Sequence, residues 1–260
     1  MDRERVDQFY RGAMQTLRDA EVPFLVGGAY ALCAYTGISR DTKDFDLFVR
    51  PRDVERALDA FRARGFEAER TFPHWLAKAK SGEDCIDLIF RAGNGLCEVD
   101  DSWFARAPEE EVLGERAAMC APEEILWMKC YIMERERYDG ADVAHLLVRC
   151  AERIDWQHLL TRFDQDWRVL LSHLVLFGFI YPSERDRIPA KVMENLMRRL
   201  ERETTAGPSG DRVCRGTLLS RAQYLCDVQE WGFRDARLEA ESQMTAADVE
   251  HWTAAIDESK

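Results

Sequence analysis

Closely spaced cysteine pairs are missing from this sequence. Its eight cysteines stand at positions 33, 85, 97, 120, 130, 150, 214 and 226, and none belongs to a Cys-x-x-Cys pair. Structural zinc sites usually take thiolates from such pairs, and secreted disulfide frameworks are short chains dense in cysteine. We therefore expect neither kind of site, and we expect most of these cysteines to be small buried apolar side chains.

Long apolar runs are missing as well. The longest, Val169 to Tyr181, is too short to span a bilayer and is interrupted at positions 172, 173 and 178 by serine, histidine and glycine. The N-terminal stretch MDRERVDQFYRGAM is charged and lacks the apolar segment of a signal peptide. We expect a cytoplasmic protein without a membrane partner.

Basic residues are in deficit. The chain has 36 lysines and arginines against 48 aspartates and glutamates, which gives a formal net charge of −12. Proteins that hold a long nucleic acid by its phosphates normally present a basic face. A local cluster of arginines could still provide one, but the balance weighs against RNA or DNA and favours a small-molecule or protein partner.

The most informative stretch runs from Phe24 to Arg50 and reads FLVGGAYALCAYTGISRDTKDFDLFVR. It predicts an apolar strand that ends in Gly27-Gly28, a short helix, and a second strand that begins with Asp44-Phe45-Asp46. Alternation along a strand puts Asp44 and Asp46 on one face, and Phe45 on the opposite, buried face.

Each part of this pattern also has an ordinary explanation. A glycine pair after a strand can be a simple turn, and Asp-x-Asp can be a solvated strand end. In combination, the glycines let backbone N–H groups approach a bulky anion, and the carboxylates offer oxygen ligands to a hard divalent cation. The stretch therefore indicates chemistry on a nucleotide.

Gly27-Gly28, fifteen further residues and then Asp44-Phe45-Asp46-Leu47 resemble the signature of the DNA polymerase beta-like nucleotidyltransferase superfamily. The nearest branches are the aminoglycoside nucleotidyltransferases and the AbiEii/MenT-type toxin enzymes. The resemblance covers roughly residues 22–90 and continues more weakly to about residue 148. It implies transfer of an NMP group from an NTP to a hydroxyl acceptor, with Mg²⁺ (or Mn²⁺) held by the aspartates and pyrophosphate released. The residues that it implies as nucleotide contacts are Gly27, Gly28, Ser39, Arg40 and Lys43.

Asp87 lies in the strand CIDLIF, on the face opposite Ile86 and Leu88. A lone acid in an apolar strand is costly to bury unless it is paired or binds a metal. The superfamily uses a third carboxylate on the strand next to its Asp-x-Asp strand, and Asp87 matches that place as a catalytic and metal-binding residue. The alternative is a salt bridge to Lys43, Lys78 or Arg40.

From Pro122 onward the sequence predicts a helical region. We expect an α+β protein, with a mixed-sheet nucleotidyltransferase domain over residues 1–118 and an all-helical domain over residues 119–260. A peripheral strand and loop are expected at Trp103-Phe104, and a last helix opens at Thr245 with a capping box. The resemblance to the toxin branch implies that Lys129 contacts the triphosphate and that Asp142 or Asp139 is the acid of the next helix. The alternative for Lys129 is a surface lysine.

Two functions remain open at this point. The first is a magnesium-dependent nucleotidyltransferase whose acceptor and preferred base the sequence does not identify. The second is a nucleotide-binding or partner-binding module of toxin–antitoxin type, on the same fold but without turnover.

Overall fold

A computed structural model of the protein describes residues 3–40, 42 and 44–255. The described chain divides into two compact units. One contains the residues up to 121 together with 243–255, and the other contains 122–242. The domain boundary proposed from the sequence, at residue 118, lies three residues before this division. The last segment, placed by the sequence in the helical domain, belongs to the first unit.

The first unit is built on a five-stranded mixed sheet in the order β1-β2-β5-β4-β3. The β2–β5 pairing is parallel, and the other pairings are antiparallel. The predicted α+β fold with a mixed sheet is confirmed. The strands are β1 (Leu25–Val26), β2 (Asp44–Phe48), β3 (Glu67–Phe72), β4 (Leu76–Ser81) and β5 (Asp84–Ile89).

Helices cover the apolar face of this sheet. On β2, Phe45 and Leu47 are fully buried. The ring of Tyr10 stacks on Phe45 with centroids 4.6 Å apart, and Tyr30 meets Phe45 edge-on at 5.0 Å. Burying aromatic surface in this way contributes about 1.5–3 kcal/mol per side chain. The helices are α1 (Arg3–Asp19), α2 (Gly28–Thr36) and α3 (Val54–Ala63).

The prediction of a strand at Trp103-Phe104 is wrong, because these residues lie in a helix, α4 (Asp101–Arg106). Asp100 caps it, and its carboxylate accepts a hydrogen bond from the Ser102 backbone N–H at 2.9 Å. An aspartate that precedes a helix satisfies backbone donors which would otherwise have no partner, and this local effect outweighs the strand preference of aromatic residues. An antiparallel hairpin of β6 (Glu109–Val112) and β7 (Glu115–Ala118) follows.

The second unit is mainly helical, as expected, but it also has a parallel pair of two-residue strands. The expectation of a purely helical region is therefore corrected. Its centre includes Glu124, a fully buried carboxylate that is bound by Arg162 and His158. The elements are α5 (Pro122–Lys129), α6 (Gly140–Cys150), α7 (Trp156–Phe163), α8 (Trp167–Ile180), α9 (Ala190–Ala206), β8 (Val213–Cys214), α10 (Leu225–Gln229) and β9 (Arg234–Asp235).

The last helix, α11 (Ala246–Ala254), begins with the predicted capping box, in which Thr245 and Asp248 bond to each other's backbone N–H. It packs on the rest of the first unit, to which it belongs. The Trp252 ring lies so close to Gly93 that a Cβ there would approach it to 2.8 Å. Across the described parts of the chain, each helix is too short or too polar to cross a bilayer.

We predict that Trp252→Ala destabilises the first unit by about 3–5 kcal/mol, because it removes a large side chain that is 9% exposed. Urea unfolding followed by circular dichroism measures the loss. Trp231→Ala is the control, since that side chain is 60% exposed. Equal effects of the two substitutions would show that α11 contributes no packing energy.

Acid should weaken the packing of α11 on the sheet unit. His74 lies next to this helix, with its Nδ1 atom 3.7 Å from the Asp248 carboxylate. Burial lowers the pKa of His74, against the opposing effects of the Gly93 carbonyl and Asp248. The folded protein therefore binds fewer protons here than the unfolded chain. The stability that neutral His74 provides is present above pH 6.5, the ordinary pKa of histidine. It is lost as the pH falls toward the lowered pKa of His74 in the folded protein. Wild-type stability should therefore fall more steeply from about pH 7 to about pH 5 than that of His74→Gln. Parallel slopes for the two proteins would contradict this.

Candidate active site

The parallel pairing of β2 with β5 assembles four polar side chains on one face of the sheet. Asp44 pairs with Cys85, and Asp46 pairs with Asp87. Directly paired residues of neighbouring strands point to the same side, and residues two apart on one strand also do so. All four therefore lie opposite the buried Phe45. We call Asp44, Asp46, Cys85 and Asp87 the acidic face.

Three members of the acidic face, Asp44, Cys85 and Asp87, have potential ligand atoms at metal-binding spacing. One carboxylate oxygen of Asp44, one of Asp87 and the Sγ atom of Cys85 all lie within 4.8 Å of one another. Asp44 is exposed, whereas Asp87 and Cys85 are largely covered. Two carboxylates at this distance fit a hard divalent cation, which prefers oxygen ligands. The structure thus brings together Asp44 and Asp87, both predicted as metal ligands from the sequence.

Asp46 is held against the glycine turn. The Gly27 N–H donates to the Asp46 carbonyl oxygen at 3.0 Å. Gly28 has a φ of +54°, and a Cβ on it would lie 1.6 Å from the Asp46 Oδ2 atom. An alanine at position 28 would therefore be strained and would also displace the carboxylate. The glycine brings the start of α2, with its exposed backbone N–H groups, next to Asp46.

Asp87 forms an ion pair with Lys78, one of the partners that the sequence left open. The Lys78 Nζ atom donates to the Asp87 Oδ1 atom at 2.6 Å. Burial raises the pKa of Asp87; Lys78 opposes this, and the charge of Asp44 adds to it. Burial acts to lower the pKa of Lys78, but the bond to Asp87 and the nearby acids outweigh it and raise that pKa. Each charge is thus costly to bury without the other.

Cys85 is the member of the acidic face that sequence reasoning missed. Burial raises the pKa of its thiol to about 12; Lys78 opposes this shift, and the negative charges of Asp87 and Asp44 add to it. The thiol is therefore neutral near pH 7. Its spacing two residues before Asp87 on a predicted strand was the available signal, because such residues share a face.

The model of a family described as "Uncharacterised nucleotidyltransferase" matches residues 13–175, which include the whole acidic face. The chain belongs to this family. Membership confirms the nucleotidyltransferase resemblance and makes nucleotidyl transfer the reaction class of this enzyme. No curated protein sequence matches the chain.

Several solved structures are similar in fold. The solution structure of the antibiotic-resistance factor ANT(2″)-Ia is 16% identical and aligns over 66% of this chain and 98% of its own, with a TM-score of 0.47. The lincomycin-bound lincosamide antibiotic adenylyltransferase LnuA is 12% identical over 54% of this chain and 94% of its own, with a TM-score of 0.39. JHP933 from Helicobacter pylori is 13% identical over 79% of this chain and 97% of its own, with a TM-score of 0.37. At this similarity none of them identifies a substrate for this nucleotidyltransferase.

The remaining predicted nucleotide contacts belong to different parts of the chain. Ser39 and Arg40 are exposed in the segment that leads to β2. Lys43 lies outside the described residues. Lys129 belongs to the second unit, where its ammonium is bound by Asp139 at 2.6 Å and by Asp142 at 2.8 Å. Its side chain is 14% exposed, so the alternative of a surface lysine does not apply, and a phosphate contact stays a prediction.

We predict that Gly28→Ala disrupts the acidic face, because the added methyl group occupies the place of the Asp46 carboxylate. Divalent-cation binding, measured by titration calorimetry with Mn²⁺, should be lost or strongly weakened.

The matched control is Gly37→Ala. Gly37 also has a positive φ, +76°, but a Cβ there meets nothing within 4 Å. This variant should lose about 1–2 kcal/mol of stability through backbone strain alone and should keep Mn²⁺ affinity. Equal Mn²⁺ affinity in both variants would contradict the close packing of Gly28 on Asp46.

Proposed function

We propose that the chain is a Mg²⁺-dependent nucleotidyltransferase that also accepts Mn²⁺. It transfers an NMP group from an NTP to a hydroxyl group of a small molecule or protein and releases pyrophosphate. The observation that carries the proposal is the acidic face itself, in which carboxylates from two parallel strands meet beside the glycine turn at Gly27-Gly28. The family supplies the reaction class, and this arrangement supplies residues for each part of the reaction.

In the proposed reaction, the acceptor hydroxyl oxygen attacks the α-phosphorus and forms a new P–O bond. The bond from the α-phosphorus to the oxygen that bridges to the β-phosphate breaks, and pyrophosphate leaves with the electron pair. Asp44, Asp46 and Asp87 are the residues that would hold a divalent cation. When bound, such a cation offsets the negative charge of the triphosphate and of the leaving group.

Asp87 is the proposed acceptor of the hydroxyl proton. Burial raises the pKa of its carboxyl group, and a carboxylate with a raised pKa is a stronger base near neutral pH. Before metal binds, its neighbour Lys78 stabilises the ionised form of this carboxylate. Asp44 is exposed and suits the role of a ligand better than that of a base.

The phosphates would bind at the glycine turn. Gly27 and Gly28 begin α2, and the backbone N–H groups of a helix N-terminus favour anions. Ser39, Arg40, Lys43 and Lys129 are proposed as further phosphate contacts. Lys129 would have to share its ammonium protons with Asp139 and Asp142. The net charge of −12 supports an acceptor other than nucleic acid.

The Lys78–Asp87 ion pair also supports a second candidate, a nucleotide-binding or partner-binding module without turnover, because it occupies the third carboxylate. Melting temperatures with ATP, GTP, CTP and UTP, each with and without Mg²⁺, detect the metal site. Incubation with α-labelled nucleotides and a cell extract then detects transfer. Mg²⁺-dependent stabilisation without labelling of any fraction would favour the module.

We predict that Asp46→Asn lowers Mg²⁺-dependent nucleotide transfer by orders of magnitude and leaves the metal-free melting temperature unchanged or slightly raised. The substitution keeps the shape of the side chain but removes one of the clustered negative charges. Asp59→Asn is the control, since Asp59 is an exposed carboxylate on α3 whose side chain is 73% accessible.

A structural role for Asp46 predicts the opposite pair of results. Asn would then destabilise the metal-free fold by about 1–3 kcal/mol. The transfer rate per folded molecule would stay intact. That outcome would end the catalytic assignment of Asp46.

A further inference from the structure

We propose that Lys78 is the internal counter-ion of the acidic face and has to release Asp87 before that carboxylate binds a divalent cation. The inference rests on the proposed function and assigns Lys78 as a positioning residue that controls metal binding. It also gives the lysine a second partner, a phosphate group of the nucleotide, once the metal has bound.

The position of Lys78 is set by strand register. In the antiparallel β4–β5 pair, Lys78 lies directly opposite Asp87. Its neighbours Ala77 and Ala79 are fully buried on the other face of β4, so the lysine is directed to the face that carries the carboxylates. The register of a strand with one buried face is strongly specified, because a shift by one residue would expose these alanines.

The Lys78 ammonium lies inside the acidic face. Its Nζ atom is 2.6 Å from the Asp87 Oδ1 atom and 4.0 Å from the Cys85 Sγ atom. The side chains of Lys78 and Asp87 are only 22% and 13% exposed, so water screens their attraction poorly. The Asp87 carboxylate, which would bind a metal, is therefore already paired with a positive charge.

A divalent cation and an ammonium group compete for the same carboxylate, because the two positive charges repel each other when both lie against it. Metal binding at Asp87 has to displace the Lys78 ammonium and leave it without its partner, so the ion pair weakens metal affinity in the absence of nucleotide. A triphosphate changes this balance, because its oxygens are strong acceptors for the released ammonium. The lysine thus links metal binding to nucleotide binding.

The test compares Mn²⁺ affinities of the wild type and three variants. Lys78→Met removes the charge and keeps the aliphatic stem. Lys78→Gln also removes the charge but can still donate a hydrogen bond to Asp87, which provides a second variant if Lys78→Met does not fold. Lys80→Met is the matched control, since Lys80 lies two residues further along β4, is exposed, and pairs with Cys85.

Titration calorimetry with Mn²⁺ alone should show an affinity higher by roughly tenfold or more in Lys78→Met and Lys78→Gln, and within about twofold of wild type in Lys80→Met. The metal-free melting temperature should fall in the Lys78 variants and recover with Mn²⁺. A non-hydrolysable ATP analogue should strengthen Mn²⁺ binding more in wild type than in Lys78→Met. A lysine with only a structural role would not produce that difference.

Unchanged or weaker Mn²⁺ affinity in the Lys78 variants overturns the inference and leaves the carboxylate site in place. An equal gain in Lys80→Met also overturns it, because the effect would then be one of general charge. Absence of Mn²⁺ binding in wild type and in all variants, with or without nucleotide, overturns both the inference and the proposed function.

Discussion

The parallel pairing of β2 with β5 is the interaction on which the site depends. The two strands are far apart in the chain, and each has only half of the polar groups. Their register puts Asp46 beside Asp87 and Asp44 beside Cys85. The same register buries Phe45 and Leu47 under the helices, so the energy of the core holds the carboxylates together against their repulsion. A shift of one residue would reverse both faces at once.

Charge balance explains the composition of the acidic face. Its three carboxylates and the adjacent Lys78 ammonium leave two formal negative charges, because the Cys85 thiol is neutral. One divalent cation carries the charge that balances them. A fourth carboxylate at position 85 would add repulsion next to the buried Asp87, where burial already opposes ionisation. The neutral Cys85 side chain beside Asp44 therefore limits repulsion in the metal-free fold. The cluster still has the net negative charge that attracts a cation.

The sequence predicted the elements better than their contacts. Glycine pairs, alternating strands and helix caps are local signals, which is why the strands around Asp44 and Asp87 and the capping box at Thr245 could be predicted. The Lys78–Asp87 pair was one of three alternatives, because cross-strand register depends on packing across the whole sheet. Cys85 was missed because a single thiol carries no motif. The return of α11 to the first unit was missed because the groups that receive it, Gly93 and His74, lie far away in the sequence.

The glycine turn and the acidic face form one mechanical unit. Gly27 is hydrogen-bonded to the backbone of Asp46, and Gly28 is in contact with its carboxylate. A movement of the backbone at Gly27 and Gly28 would therefore move the Asp46 carboxylate, and a force on that carboxylate would pull on the start of α2. Asp87, on the neighbouring strand β5, is linked by its ion pair to Lys78 on β4. In the proposed reaction, metal and nucleotide would act on one connected set of atoms, so we expect the binding of either one to change the affinity for the other.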